Sequence, residues 1–180
     1  MTSQPHIRRL DATDLPRHRP HFIDLYREVY AEPPYLETDE HVTAYVQRFA
    51  EESSQPGFAL VTAETDTEVI GYAYGHAFSA DEWWPDTDHE PVETRGRTKF
   101  AVIELAVRKP HRGRGIGAQL MAALLDRRPE HLATLCSNPA APARHIYQHW
   151  GWQPVATAYP TGFPPMDVLV LQLQEAANPA

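Results

Sequence analysis

A mixed α/β layer fold, with a central sheet of six to seven strands flanked by about four helices, is what this sequence predicts. Three observations predict it. Helical stripes and short strand-like runs succeed one another along the whole chain. One run, KFAVIELAV at 99–107, is apolar almost throughout, as expected of a central strand covered on both faces. That run leads directly into a glycine-rich turn and then into helical periodicity. The 180 residues fit one domain, 1–180, better than two.

The elements follow in order. HIRRL (6–10) reads as a short first strand, and 11–20 as a turn-rich lead-in. HFIDLYREVYA (21–31) puts Phe22, Leu25, Tyr26, Val29 and Tyr30 on one helical stripe, which EPPY ends because proline cannot continue a helix. TDEHVTAYVQRFAEE (38–52) opens on capping residues and repeats Val42, Tyr45, Val46 and Phe49 at helical spacing. GFALVTAE (57–64) and EVIGYAYGHAF (68–78) read as strands joined by a polar turn, and 79–97 as a long loop. After the central strand, GAQLMAALLDRR (117–128) predicts a helix with Leu120, Met121, Leu124 and Leu125 inward. HLATLCS (131–137) is a strand, AAPARHIYQHWG (140–151) a short helix closed by Gly151, and WQPVATAY (152–159) and MDVLVLQLQ (166–174) the last strands.

Composition removes several function classes. A formal net charge of −8 argues against general nucleic-acid binding and favours cationic ligands. The single cysteine, Cys136, allows no internal disulfide and no thiolate zinc cage, and reads as a small core residue. No apolar run has the length of a membrane span, and MTSQPHIRRLDATDL has no apolar core like that of a signal peptide, so a cytoplasmic protein without membrane partners is expected. Most of the 17 prolines fall between periodic segments, where they punctuate loops, and they form no PxxP tract. His145 and His149 stand four apart on a predicted helix, but the Glu of HExxH and a third ligand are missing, so no metal site is expected.

VRKPHRGRGIGAQL (107–120) carries the chemistry. Gly113, Gly115 and Gly117 offer unhindered backbone N–H groups, and the following helix presents its positive end. Together they form an anion cradle suited to phosphates, with Arg112 and Arg114 adding charge and Arg108 or Lys109 able to join them. The spacing is neither that of a P-loop nor that of a dinucleotide-binding turn. The alternative is a glycine-rich surface turn with solvated arginines.

Arg112-Gly-Arg-Gly115-Ile-Gly117 has the form [RQ]xxGxG/A. With the preceding IELAVRKPH it resembles the acetyl-CoA turn of the GNAT superfamily of N-acetyltransferases, with one extra residue between Val107 and Pro110 relative to that family's pattern. SNPAAPARHIYQHWGWQPV (137–155) looks like the family's second signature, an Asn after a strand, then a helix carrying a Tyr before a Gly-aromatic pair. The resemblance covers residues 58–155 and is weakest in the first helices and the 79–97 loop. It implies a GNAT-like fold and acetyl-CoA as cosubstrate. It further implies that Leu105, Ala106, Val107, Arg112, Gly113, Arg114, Gly115, Ile116, Gly117, Ala118 and Asn138 bind the coenzyme. Members are often dimers, so a homodimer is an option.

The resemblance also makes Tyr147 the general acid that protonates the departing thiolate. A phenol near pKa ~10 and a thiol near ~8.5 can share a proton in the transition state. The alternative is a packing tyrosine. Glu104 interrupts the apolar strand, and a lone carboxylate there is costly unless paired or used. It resembles the acidic residues that bind or deprotonate the acceptor amine in some GNAT enzymes; a structural salt bridge to an arginine is the equal alternative. Asn138 stands where the family's Asn contacts the pantetheine arm, although Asn-Pro is also a good turn opener. Tyr30, Glu32 and Tyr35 of YAEPPY, and Asp81, Trp83 and Trp84 of the acidic loop, suit a cationic, partly apolar amine; solvated loops are the alternative.

The expected activity is transfer of an acetyl group from acetyl-CoA to a primary amine by direct attack in a ternary complex. A small cationic acceptor, polyamine or aminoglycoside-like, fits the acidic character. A protein N-terminus or lysine is the second option. A non-catalytic acyl-CoA sensor or scaffold and, more remotely, a nucleotide-phosphate binder are the competing classes.

Overall fold

A computed structural model describes residues 5–173. Its elements are β1 (His6–Leu10), α1 (Leu15–Tyr30), α2 (Asp39–Glu52), β2 (Ala59–Glu64), β3 (Val69–Phe78), β4 (Lys99–Val107), α3 (Ile116–Leu125), β5 (Leu132–Ser137), α4 (Pro142–His149), β6 (Gln153–Ala158) and β7 (Met166–Gln172). The seven strands form one mixed sheet in the order β1-β2-β3-β4-β5-β7-β6. β4 and β5 run parallel, while β1–β2, β2–β3, β5–β7 and β6–β7 are antiparallel. This is the predicted succession of elements, with the apolar run 99–107 as the fourth of seven strands. Residue 174 of the predicted last strand lies outside the described residues.

Two boundaries differ from expectation. α1 begins at Leu15, inside the segment expected to be a turn-rich lead-in, and carries Pro16 in its first turn and Pro20 in its body. Pro16 costs little there, because first-turn amides have no helical partner anyway. Pro20 forfeits one ladder bond. Tertiary contacts offset that loss: His18 is buried, its Nδ1–H donates to the Asp14 carbonyl at 2.9 Å, and its ring stacks on Phe22 at 6.2 Å. At the other boundary, α3 ends at Leu125 and not near residue 128, because Asp126 leaves the helical region and Arg127 turns left-handed at φ 53°.

The chain divides into two compact units. The first runs to His76 and includes Ile103–Asp126; the second comprises Ala77–Val102 and the chain from Arg127 onward. In the first unit, α1 and α2 bury an aromatic stripe with β2 and β3: Phe22, Tyr26, Tyr45, Phe49, Tyr72 and Tyr74 are all buried. Tyr26 stacks on Tyr45 at 3.9 Å and Phe22 on Tyr72 at 5.0 Å. α2 is capped by its own side chains, with His41 Nδ1 accepting from the Thr38 N–H at 3.1 Å. Gly71 is a close-approach position, since a Cβ there would lie 2.9 Å from the Ala106 carbonyl oxygen.

In the second unit, β5 pairs with the start of β4 from Lys99↔Leu132 to Ala101↔Thr134 and with β7 along its whole length. The apolar reading of 99–107 hides one feature. Lys99 is fully buried, and its ammonium donates to the carbonyls of Ala80 and Glu82 at 3.2 and 3.0 Å and to Glu90 Oε1 at 3.0 Å. A lysine side chain can be buried only with such full pairing. It pins the 79–97 loop to the strand.

Candidate active site

The glycine turn lies in the first unit and is built as a strand–turn–helix. β4 ends at Val107, a single turn follows over 109–111, and α3 starts at Ile116. Gly113 and Gly115 both sit at positive φ, 74° and 77°, and Gly115 is the N-cap of α3. These are backbone conformations that L side chains adopt only under strain. No side chain caps α3 and no acidic residue stands in its first turn. Its leading N–H groups therefore carry the helix's positive end with no carboxylate competing for it. Gly113, Arg114, Gly115 and Ala118 are exposed, Gly117 is half-buried, and Ile116 is buried as the helix's anchor. Nothing lies within 4 Å of a Cβ placed on Gly113, so the space over the turn is open. The turn thus leaves backbone N–H groups and open space for an anion.

The cations around the turn have different partners. Arg108 donates from its backbone N–H to the Ile70 carbonyl at 2.8 Å and from Nε to Val69 at 3.1 Å, and pairs with Glu28. Arg112 donates through Nε to the Val107 carbonyl at 2.8 Å and through both terminal nitrogens to Glu32 at 3.0 and 3.4 Å. Lys109 also reaches Glu32, at 3.7 Å. Arg114 is exposed and has no partner among the described residues. Glu32, read from the sequence as an acceptor residue, is thus the counter-ion of the glycine turn. The Arg112 guanidinium holds its carboxyl below the ordinary range.

Glu104 sits deep in the same unit, 7% exposed, on the strand that leads to the turn. Its Oε2 accepts the Tyr30 hydroxyl at 2.7 Å, and its Oε1 lies 3.5 Å from an Arg48 terminal nitrogen. Burial raises its pKa from 4.5 to about 7; Arg48 and the Tyr30 hydroxyl oppose the rise, while Glu52 and Glu37 add to it. Tyr35 packs edge-on to Tyr30 at 4.8 Å, and Tyr26 lies against Tyr30 at 4.5 Å. Two of the three residues predicted from YAEPPY, Tyr30 and Tyr35, therefore join Glu104. Sequence reasoning missed Arg48, Glu52 and the hydroxyls of Tyr26, Tyr45, Tyr72 and Tyr74. Tyr26 and Tyr45 were legible only as core positions. The i,i+4 spacing of Arg48 and Glu52 was the available signal for that pair.

At the end of β4, Ala106 is buried and Leu105 and Val107 are half-buried. In the second unit, Tyr147 is buried on α4, edge-on to Trp150 at 5.8 Å and tilted to Trp152 at 6.2 Å. Asn138 Oδ1 accepts the Ala140 N–H at 2.9 Å, and its carbonyl accepts the Ala141 N–H, the turn-opening role named as the alternative. Trp83 donates to the His89 carbonyl at 3.2 Å, and Trp84 to Thr134 Oγ1 at 2.8 Å, so both indole N–H groups are spent on anchoring the loop. Asp81 is exposed without a partner among the described residues. Cys136 is half-buried, its thiol pushed up to about 12 by burial, which leaves it inert as a nucleophile. Among the described residues no group of three or more His, Cys, Asp or Glu side chains could hold a metal ion, and no helix is long and apolar enough to cross a membrane.

The parallel pair β4–β5 lies within a mixed sheet, and an open glycine turn follows the fourth strand. The profile of the acetyltransferase (GNAT) family matches residues 22–152, and the chain belongs to that family. That family is one of acetyltransferases. No curated relative matches the sequence at a significant level. Among solved structures it is similar to the PaiA N-acetyltransferase of Thermoplasma acidophilum in complex with coenzyme A, at 12% identity and a TM-score of 0.64 over 95% of this chain and 100% of that one. It is also similar to an aminoglycoside 6'-acetyltransferase type Ii, at 16% identity and 0.65 over 93% and 96%. A third is the ribosomal-protein-S18-alanine N-acetyltransferase of Escherichia coli, at 16% and 0.62 over 96% of each chain. At these identities the likeness is one of fold.

Proposed function

We propose that the protein acetylates a primary amine on a small cationic molecule, polyamine or aminoglycoside-like, by direct attack on acetyl-CoA in a ternary complex. The observation that carries the reading is Glu104: a carboxylate buried among tyrosines, on the strand that feeds the glycine turn, and tuned to about 7. A base of that pKa is ionised for a useful fraction of time near neutral pH and can still take a proton from an ammonium group. The tyrosine faces suit the amine's cationic and apolar parts.

The turn from Arg112 to Ala118 would hold the coenzyme's pyrophosphate on backbone N–H groups, with Arg114 free to add charge and Asn138 meeting the pantetheine arm as in the family. Backbone N–H groups of Leu105–Val107 would polarise the thioester carbonyl. Glu104 first takes a proton from the ammonium and frees its lone pair; the amine nitrogen then bonds to the acetyl carbon, the C–S bond breaks, Tyr147 gives its proton to sulfur, and the second proton shed by the nitrogen restores the tyrosine. Tyr147 holds that role by its place in the family's second signature. Asp81, Trp83 and Trp84 remain assigned to acceptor recognition on composition. A cytoplasmic location belongs to the same proposal.

Thiol release from acetyl-CoA, measured against polyamines, aminoglycosides and short peptides, tests this reading. Release with a small cationic amine supports it. Release with peptides alone replaces the acceptor class, as one of the similar folds acts on a ribosomal protein by its name. Silence across the panel with coenzyme A bound returns the sensor reading.

A further inference from the structure

Glu104 has a resident cation whose grip is loose. Arg48 reaches from α2 to Glu104 Oε1 at 3.5 Å and to Glu52 Oε1 at 3.4 Å. Charge-assisted bonds of this kind are ordinarily 2.7–2.9 Å. The guanidinium rests over the Tyr45 ring at 5.8 Å, and its side chain is 36% exposed, whereas that of Glu104 is 8% exposed. One carboxylate of the pair is thus deeply buried and the cation reaches solvent. Glu52 stands one turn along the same helix, fixed by the Tyr74 hydroxyl at 2.7 Å. It offers the guanidinium a second anchor without any backbone movement. Arg112 is engaged by Glu32 and the Val107 carbonyl.

We propose that Arg48 is the specificity-determining residue of the acceptor site: it bridges Glu104 and Glu52 between turnovers and yields the position beside Glu104, keeping only its Glu52 contact, when the acceptor's ammonium arrives. This rests on the reading of Glu104 as the amine's carboxylate. Affinity for the acceptor is then the difference between two cations competing for one buried carboxylate. The arginine selects amines that can out-compete it, which favours compact ammonium groups over bulky, weakly charged ones. It also opposes the burial that would otherwise keep Glu104 protonated while no acceptor is present.

The experiment is a binding titration of 1,4-diaminobutane by NMR into the wild type, Arg48→Gln, Arg48→Lys and Glu104→Gln at pH 8, with circular dichroism to verify each fold. With the titration repeated at pH 7, 8 and 9 to take out the rise in Glu104 pKa that losing Arg48 brings, removing the competitor tightens binding to the ionised carboxylate about fivefold in Arg48→Gln. Arg48→Lys, which keeps the charge, stays close to wild type, and Glu104→Gln binds more weakly. Damage to packing does not produce tighter binding, so the direction separates this role from a structural one. Unchanged or weaker binding in Arg48→Gln overturns the proposal, as does equal tightening in Arg48→Lys. If Glu104→Gln binds as well as wild type, or no variant binds at all, the amine-site reading itself fails and takes the proposal with it.

Discussion

Glu104→Gln should make the protein more stable at pH 8 and change its stability at pH 5 by only about 1 kcal/mol or less. The unfolded chain releases this proton near 4.5, whereas the folded chain keeps it until about 7. Between those values the native state binds more protons, so rising pH favours unfolding. The stabilisation is complete below about 4.5 and lost as pH climbs through about 7. With 1.36 kcal/mol for each pH unit of difference, the folded protein gives up about 3 kcal/mol in ionising Glu104. Glutamine keeps the shape and still accepts the Tyr30 hydroxyl, but it carries no charge to desolvate. For a chain of this size, about 3 kcal/mol corresponds to roughly 6–12 °C in melting temperature. Urea or thermal unfolding of the two proteins at pH 5, 6, 7 and 8 measures the difference, and subtracting one curve from the other cancels every other titrating group. A difference that does not change with pH would refute the argument, because it would mean that Glu104 is not titrating in this range.

Tyr147→Phe should lower turnover by about 10²-fold or more, the usual range for a lost general acid, while the dissociation constant of coenzyme A, read by calorimetry, stays within about twofold; unaffected turnover removes the acid assignment. Gly115→Ala forces a side chain to adopt φ 77°, so stability should fall by about 1 kcal/mol and coenzyme affinity with it. The nearest atom to the new Cβ is Gln119 Nε2 at 3.9 Å, so a loss seen by thermal melting reports strain and not a clash. Lys99→Met strips two carbonyls and Glu90 of their shared partner. A loss of about 3 kcal/mol is expected from breaking a buried pair, and hydrogen exchange should rise across residues 79–97; protection there unchanged would show that the loop is held without the lysine.

The order of elements was legible because helical and strand periods alternate cleanly and the prolines fall mostly between them. The start of α1 was not, because Pro16 and Pro20 read locally as breakers while the burial of His18 and Phe22 that offsets them is tertiary. The glycine turn was legible from spacing alone, since positive φ at Gly113 and Gly115 demands glycine. The fate of its arginines was not: Arg112 and Glu32 lie far apart in sequence, and only the fold brings them to 3.0 Å. Glu104 stood out as one charge in an apolar run. Lys99, at the other end of that run, was passed over because the run as a whole reads as apolar. Tyr26 and Tyr45 were read correctly as inward-facing, yet a tyrosine stripe carries hydroxyls into the core as well as rings, and Tyr26–Glu37, Tyr72–Tyr45 and Tyr74–Glu52 bonds make that core polar.

That polar core explains how a carboxylate can be buried and still be useful. Had Arg48 gripped Glu104 at the short distances of a good bidentate pair, the carboxyl would fall well below neutrality and would be too weak a base for an ammonium proton. With no cation near it, burial would keep it protonated at neutral pH and unable to accept one. The 3.5 Å contact and the single Tyr30 hydroxyl bond leave it between these limits, near 7. The stability given up on ionisation and the basicity gained are the same free energy. A variant that stabilises the fold by tightening the Arg48–Glu104 pair should therefore lose basicity at Glu104 in proportion, and its pH–rate profile should shift to lower pH as its turnover falls.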